Sequence, residues 1–249
     1  MNEITLQKKV AVIVGATGYL GLELVKQLEK EGLCIAIFCR KGSEEKTRSI
    51  LQLLPSAGHH VYTVDFFDES SIAAALNTVK DKQGTPYLCI CTAGLKPLRK
   101  KILDTSYKEM VDQIEGTFFP AFLFLKEAGK FLKTQTSGVL VGVTTAGVKE
   151  VQATKNLGGY IAAKYALQGS LEMLRAELVG YGVKVYSVAP GFMEGGMNGD
   201  IPKAFVQMIK EKSSSKQVTT SNEVVSKIIM LCKSSELYPL TTILAPEYE

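Results

Sequence analysis

Tyr160 and Lys164 stand four residues apart in Gly158-Gly-Tyr-Ile-Ala-Ala-Lys-Tyr-Ala-Leu-Gln, a spacing that brings a phenol and an ammonium to one face of a helix. A free phenol titrates near pH ~10, and an adjacent cation favours the phenolate and lowers that value. The pair therefore has the chemistry of an acid-base device tuned toward neutral pH. Taken alone, the same spacing is better read as a surface tyrosine beside a solvated lysine, because short motifs recur by chance. Its weight depends on the rest of the chain.

A second cluster suits phosphate. Val14-Gly-Ala-Thr-Gly-Tyr-Leu-Gly21 joins an apolar, strand-like run to an amphipathic helical run. Glycines at 15, 18 and 21 allow a tight turn, close backbone approach to a pyrophosphate and close helix packing. The helix amino terminus then faces the negative charge. Gly15, Thr17, Gly18, Tyr19, Leu20 and Gly21 are the candidate cofactor contacts of this turn. The next strand ends at Phe38-Cys39-Arg40-Lys41. A site for NAD usually places a carboxylate here for the ribose hydroxyls, whereas an arginine accommodates a 2′-phosphate. Arg40, with Lys41 beside it, points to NADP(H); an ordinary basic loop is the plainer alternative.

These groups need a scaffold. Strands are expected at Val10–Val14, Leu33–Cys39, His60–Val64, Tyr87–Cys91, Gly138–Val143, Val183–Val188 and Tyr238–Leu244. Helices are expected at Leu20–Lys30, Ser43–Leu54, Glu69–Lys80, Tyr107–Leu132 with a break near Pro120, and Tyr160–Tyr181. Strand and helix alternate, and the early strands are nearly continuous apolar runs, as buried parallel strands must be. The expectation is a doubly wound parallel sheet of the Rossmann type, about seven strands with helices on both faces, in one domain over residues 1–249. From Phe192 to about Ser215 the rhythm fails: Gly195, Gly196 and Gly199 lead into a short amphipathic piece at Ala204–Ile209 and then Lys212-Ser-Ser-Ser-Lys216. Such an excursion after the carboxyl end of a parallel strand predicts a substrate lid over about 192–215.

Composition narrows the classes. The 249 residues are 46% hydrophobic, without an apolar run of membrane-spanning length, and Met-Asn-Glu-Ile-Thr-Leu-Gln-Lys-Lys has no signal-peptide pattern. The net charge of +4 is mild and dispersed, so neither nucleic acid nor a membrane is expected as a partner. Five cysteines (Cys34, Cys39, Cys89, Cys91, Cys232) fit buried thiols in a reducing, cytoplasmic setting. Cys89-Ile-Cys91 has the wrong spacing for a zinc knuckle and only His59 and His60 could assist it, so no metal is expected.

With these motifs in order, the chain resembles the short-chain dehydrogenase/reductase family over nearly its whole length. Gly15, Gly18 and Gly21 match the dinucleotide turn; Asp65, with Phe66 beside it, matches the acidic residue that contacts adenine. Cys91-Thr92-Ala93-Gly94 keeps the Ala-Gly half of the family's Asn-Asn-Ala-Gly turn. Thr144-Thr145 falls where the family carries Ser-Ser, Tyr160 and Lys164 match the Tyr-x-x-x-Lys pair, and Pro190-Gly191 matches the Pro-Gly turn, with Met193 just beyond. The departures are specific. The Gly-x-x-Gly-x-x-Gly spacing is commoner in the extended and atypical branches, threonine replaces the catalytic serine, and the interval from Thr145 to Tyr160 is slightly long. The relay asparagine aligns with Gln113, and the nicotinamide-contacting threonine with Gly195.

The resemblance implies hydride transfer between a nicotinamide and a carbonyl or alcohol carbon. It casts Tyr160 as proton donor, Lys164 as its tuner and ribose contact, Thr145 or less readily Thr144 as the hydroxyl that polarises the carbonyl, and Gln113 as holder of a relay water. It also implies a homodimer or homotetramer paired through the long helices. Leu95, Val148, Leu157, Phe192, Met193, Met197 and Phe205 make an apolar set around the expected pocket, suited to a hydrophobic carbonyl compound, a 3-oxoacyl thioester or a steroid-like ring, or simply to packing of the lid. Lys96, Arg99, Lys100 and Lys101 form a basic run that either meets an acidic carrier or lies solvated. The altered serine, asparagine and threonine positions keep a second class open: a protein that binds NADP(H) as a redox sensor or regulator without turnover.

Overall fold

A computed structural model describes residues 3–149, 155–213 and 215–245. Seven parallel strands form one sheet in the order β3-β2-β1-β4-β5-β6-β7, with β1 at Val10–Val14, β2 at Cys34–Cys39, β3 at His60–Thr63, β4 at Pro86–Cys91, β5 at Gly138–Val143, β6 at Val183–Pro190 and β7 at Thr241–Leu244. The order reverses between β1 and β4, both of which start from the sheet's centre, and this opens a crevice at their carboxyl ends. Every residue of β1, β4 and β5 is buried. That is why their sequences are unbroken apolar runs rather than alternating ones.

The two sides of each strand feed different cores. Ala11 and Ile13 of β1 pack on one face with Leu24 and Leu28 of α1 (Tyr19–Lys30) and Ile50 of α2 (Glu44–Leu51). Val10, Val12 and Val14 pack on the other with Leu76 of α3 (Glu69–Gln83). The second face is completed by α4 (Tyr107–Thr117), α5 (Phe119–Gln135) and α6 (Gly158–Leu178), with Phe124, Leu167 and Leu171 fully buried. The expected long helix from Tyr107 divides at Phe118. Pro120 has no amide proton to continue a helix and is well placed in the first turn of a new one.

One helix escapes the periodicity reading. After α7 (Lys203–Lys212), α8 runs from Ser221 to Lys233 and buries Val224, Val225, Ile228, Ile229, Leu231 and Cys232 on the first face beside α1. Its signal was present: Thr220 and Glu223 form a reciprocal capping box directly before the apolar run. Cys39, Cys89, Cys91 and Cys232 are buried and Cys34 is half-buried, all as free thiols. Among the described residues no helix is long and apolar enough to cross a membrane.

Candidate active site

Short residues bring the dinucleotide turn together. Gly15 has φ of +91°, and a Cβ there would lie 2.6 Å from Thr92 Oγ1 and 2.7 Å from the Ala93 amide nitrogen. A Cβ on Gly21 would meet the Gly15 carbonyl oxygen at 2.1 Å. Thr92 holds the floor of the turn, its hydroxyl donating to the carbonyls of Val14 at 3.1 Å and Gly15 at 3.3 Å. No acidic residue occupies the first turn of α1, so its amino-terminal amides face the cleft without competition.

The turn lines one wall of a cavity of about 1400 Å³ that also contains Tyr160, Lys164, Thr144, Thr145 and Pro190–Met193. Two strand ends and one helix place these groups: β5 leads into Thr144-Thr145, β6 ends at Pro190 before Gly191, and the first turn of α6 carries Tyr160. Lys164 is buried and donates to the Val143 carbonyl at 2.7 Å, with Nζ 5.7 Å from the Tyr160 ring centroid. Desolvation disfavours its charge and draws the ammonium down to about 8. The phenol of Tyr160 moves the opposite way to the sequence expectation: burial pushes it up to about 12. Desolvation is the cause.

The two threonines differ in what their hydroxyls can do. Thr144 is buried and lies 2.8 Å from Ser187 Oγ, which donates to Gln168 Oε1 at 2.7 Å. The Gln168 amide nitrogen donates to the Glu172 carboxylate at 3.0 Å and to Thr241 Oγ1 at 2.8 Å. A carboxylate accepts only, so the amide orientation is set, and with it the whole chain. Ser187 gives its proton to Gln168, and Thr144 gives its proton to Ser187. Thr144 therefore presents lone pairs, not a proton, to the cleft. Among the described residues the Thr145 hydroxyl meets only the Pro190 carbonyl, at 3.5 Å.

Gln113 is not in the cleft lining. Its Oε1 accepts from the Leu98 amide at 3.1 Å and its Nε2 donates to the Lys96 carbonyl at 3.3 Å, so both ends of the amide hold the loop after β4. A relay water would have to use the second proton or the second lone pair that these bonds leave over. The adenine-side candidates also stand apart from the cleft lining. Arg40 and Lys41 are exposed, with Arg40 Nε 3.4 Å from Ser43 Oγ. The Asp65 carboxylate turns back to its own loop and accepts from the Phe67 amide at 2.9 Å, while Phe66 packs on the α3 face. These residues share the carboxyl edge of the sheet with Gly15, since Phe38 pairs with Val14 and Thr63 with Cys39.

Lys96, Arg99 and Lys101 of the basic run are exposed, as a solvated run would be, yet three of its four cations have side-chain partners. Lys96 pairs with Asp200 at 2.9 Å, Arg99 donates to Asn198 Oδ1 at 2.6 Å, and Lys100 pairs with Glu109 at 2.9 Å. The first two links span the cleft to the segment after β6. That segment leaves the sheet at Phe192 and returns at Thr219, whose amide donates to the Phe192 carbonyl at 3.1 Å. Of the expected lid, Ser214 lies outside the described residues. Leu157, Phe192, Met193, Met197 and Phe205 line the cavity as expected, whereas Leu95 and Val148 do not. Sequence reading also missed Tyr19 as a cross-cleft contact. A Cβ on Gly196 would lie 2.7 Å from Tyr19 Cβ, so the lid glycines admit the ring.

Comparison with known proteins bears on the family and the fold. The family model described as enoyl-(acyl carrier protein) reductase matches residues 15–242. A Streptomyces coelicolor protein provisionally named a ketoacyl reductase is 30% identical over 195 residues, 76% of this chain and 72% of its own. A solved NAD+-bound xylitol dehydrogenase superposes with a TM-score of 0.87 at 20% identity, covering 98% of this chain and 100% of that one. A dehydrogenase-like structure from Burkholderia cenocepacia with bound NADP gives a TM-score of 0.82 at 23% identity, covering 97% and 93%. The sheet is common to both, and the cofactors in them differ.

Proposed function

The chain belongs to the short-chain dehydrogenase/reductase family of oxidoreductases, which bind nicotinamide cofactors, and from that premise we propose that it is an NADP(H)-dependent reductase of a carbonyl compound with Tyr160 as the acid. One observation carries this: the Tyr160–Lys164 pair and the glycine turn line a single cavity. The turn suits a pyrophosphate, because Gly15 and Gly21 exclude any Cβ and the first turn of α1 carries no acid. When bound, the nicotinamide supplies or accepts the hydride. Tyr160 gives its proton to the carbonyl oxygen as that oxygen becomes an alkoxide. Lys164 supplies positive charge beside it, and the Thr145 hydroxyl orients the carbonyl. Thr17, Gly18, Tyr19 and Leu20 flank the phosphates, Thr92, Ala93 and Gly94 wall the ribose side, and Pro190, Gly191 and Met193 face the nicotinamide. Asp65 and Phe66 hold the adenine. Arg40 and Lys41 meet the 2′-phosphate by swinging from their exposed positions. We read residues 192–215 as a lid in a single domain, and the long helices α4, α5 and α6 as the pairing surface of a cytoplasmic homodimer or homotetramer.

A second reading has its own support. The committed Gln113 amide and the raised Tyr160 favour a protein that binds NADP(H) as a sensor without turnover. NADPH oxidation against a panel of ketones, aldehydes and acyl thioesters separates the two, with Tyr160→Phe as control. The reductase reading expects turnover on some members of the panel, reduced in Tyr160→Phe by about 10²–10⁴-fold. Tight NADPH binding with no turnover anywhere, unchanged in Tyr160→Phe, supports the sensor. Equal affinity for NADH and NADPH, indifferent to Arg40→Ala, refutes the cofactor assignment.

A further inference from the structure

The cleft is cationic throughout. Lys96, Arg99, Lys149, Lys164 and Lys212 line it, and among the described residues no aspartate or glutamate does. Some of this charge is already spent: Lys96 is neutralised by Asp200 and Lys164 is turned onto the Val143 carbonyl. Arg99 is a different case. Its partner is the neutral Asn198 amide, whose own nitrogen donates to the Met193 carbonyl at 2.9 Å and so keeps Oδ1 toward the arginine. The guanidinium is therefore positioned, shares the field of Asp200 with Lys96, and keeps most of its donors free of a direct carboxylate bond.

Arg99 also faces a second, smaller cavity of about 300 Å³, together with Lys155 and the apolar side chains of Leu157, Ile201, Pro202 and Phe205. Nothing from the glycine turn, from Thr144-Thr145 or from Pro190–Met193 borders this annex, so it lies beyond the reach of the dinucleotide site. Arg99, Leu157 and Phe205 line both spaces and mark where they join. From Tyr160 outward, the path is thus an apolar passage ending at two cations, again without a carboxylate among the described residues.

We infer that the substrate is an anionic carbonyl compound. Its carbonyl meets Tyr160, an apolar stem runs past Leu157 and Phe205, and a terminal carboxylate or phosphate sits between Arg99 and Lys155. This rests on the reading of the cleft as a carbonyl reductase, and it names the substrate class that reading left open. Both cations are exposed, and an anion between them would gain charge-assisted hydrogen bonds, for which a guanidinium fork matches either oxyanion. Long neutral ketones would fill the passage but leave both cations facing solvent in the annex.

The test uses the full chain with NADPH and three matched substrates: an aliphatic oxo acid, its methyl ester, and the corresponding oxoalkyl phosphate. Both anions are expected to exceed the ester in kcat/KM by about tenfold, mostly through KM, as two partly exposed charge contacts allow. The acid-to-ester ratio falls in Lys155→Gln, which leaves the Arg99–Asn198 link intact, approaches one in Arg99→Gln/Lys155→Gln, and is kept in Lys155→Arg. Carboxylate and phosphate ranking equally identifies a general anion site; one alone ranking above the ester assigns the anion. A wild-type ratio near one, or a ratio that survives in the double variant, overturns the inference. Calorimetric titration of the NADPH-loaded protein with a saturated fatty acid and with its neutral amide reads the same site without chemistry. A preference for the acid that disappears in the double variant supports the anion site even if nothing is reduced, and in that case it is the reductase reading that fails. No preference removes the anion site and leaves the reductase reading standing.

Discussion

At the dinucleotide turn, a methyl group on Gly21 would overlap the Gly15 carbonyl oxygen at 2.1 Å, and one on Gly15 would press on the Ala93 backbone at 2.7 Å. Across the cleft, α7 buries only Val206, and the segment around it is tied to the body by Arg99–Asn198 and Lys96–Asp200, between exposed side chains. One side is held by backbone against backbone, the other by side chains across a gap. The first arrangement leaves its backbone little room to move, which suits the pyrophosphate we propose there. The second leaves the substrate wall free to shift, because exposed polar links cost little to open. The same cleft thus combines a rigid cradle and an adjustable gate.

The sharpest way to break this contrast is to add the same methyl group to each side. In Gly21→Ala the new Cβ has backbone on its near side and cannot be absorbed by a rotamer change, so we expect a loss of about 3 kcal/mol, roughly 10 °C in Tm, together with loss of nucleotide binding. In Gly199→Ala nothing lies closer than the Gly196 carbonyl oxygen at 3.3 Å and φ is −65°, so the change should stay within about 0.5 kcal/mol. Thermal melts with and without NADPH compare the two. Similar shifts for both variants would mean the cradle is no tighter than the gate.

The seam between the two sides is the threonine pair. Thr145→Val removes the hydroxyl that we propose orients the carbonyl, and kcat/KM should fall by about 10²-fold. Thr144→Val removes a hydroxyl whose proton already belongs to Ser187, so turnover should change by no more than about threefold, and the variant should lose about 1 kcal/mol of stability. The reverse ranking in steady-state kinetics would show that the Ser187–Gln168 chain serves the reaction and not the packing.

This pairing also marks how far the residues alone could be read. The strands were legible because β1, β4 and β5 are buried on both faces, which leaves unbroken apolar runs with almost unambiguous ends. The glycine turn and the Tyr160–Lys164 spacing were legible because local geometry determines both. Three features were not. The direction of the Thr144 proton depends on Glu172 through two intervening side chains, and no local pattern encodes that. The commitment of Gln113 to the loop after β4, and the link from Arg99 to Asn198 across 99 positions, are tertiary accidents of the same kind. The direction of the Tyr160 shift could not be read because spacing reports the cation and is silent about burial, which here raises the phenol. The helix α8 is different: its capping box was visible, but it follows a polar, irregular stretch that masked its start.

Lys164 belongs to the rigid side, where a Cβ on Gly94 would come within 3.7 Å of its Nζ. Its pKa is lowered to about 8 from an ordinary 10.5, so the charge is present below that pH and lost above it. Tyr160, pushed up to about 12, keeps its proton on both sides of this window. In the direction of carbonyl reduction kcat/KM should therefore be level up to about pH 7 and decline by up to tenfold per pH unit above about 8. Lys164→Arg, which cannot lose its charge in this range, should remove the decline in whatever activity it retains. A profile that stays level to about pH 10 would detach the lysine's charge from the proton transfer.

The smallest effect tests the gate itself. Removing both links, in Asn198→Ala/Asp200→Ala, deletes the two side-chain hydrogen bonds of Asn198 (to Arg99 and to the Met193 carbonyl) and one exposed ion pair, so the melting temperature should shift by less than about 5 °C. Amide exchange should nevertheless quicken in residues 196–212 and leave 15–21 untouched, because opening the gate breaks no backbone contact in the cradle. Salt offers a second handle: the Lys96–Asp200 pair weakens as ions screen it, so added salt should quicken exchange over 196–212 in the wild type and much less in the double variant. If exchange in the turn rises together with exchange in the gate, the two walls open as one unit, and the division between a fixed cofactor side and an adjustable substrate side fails.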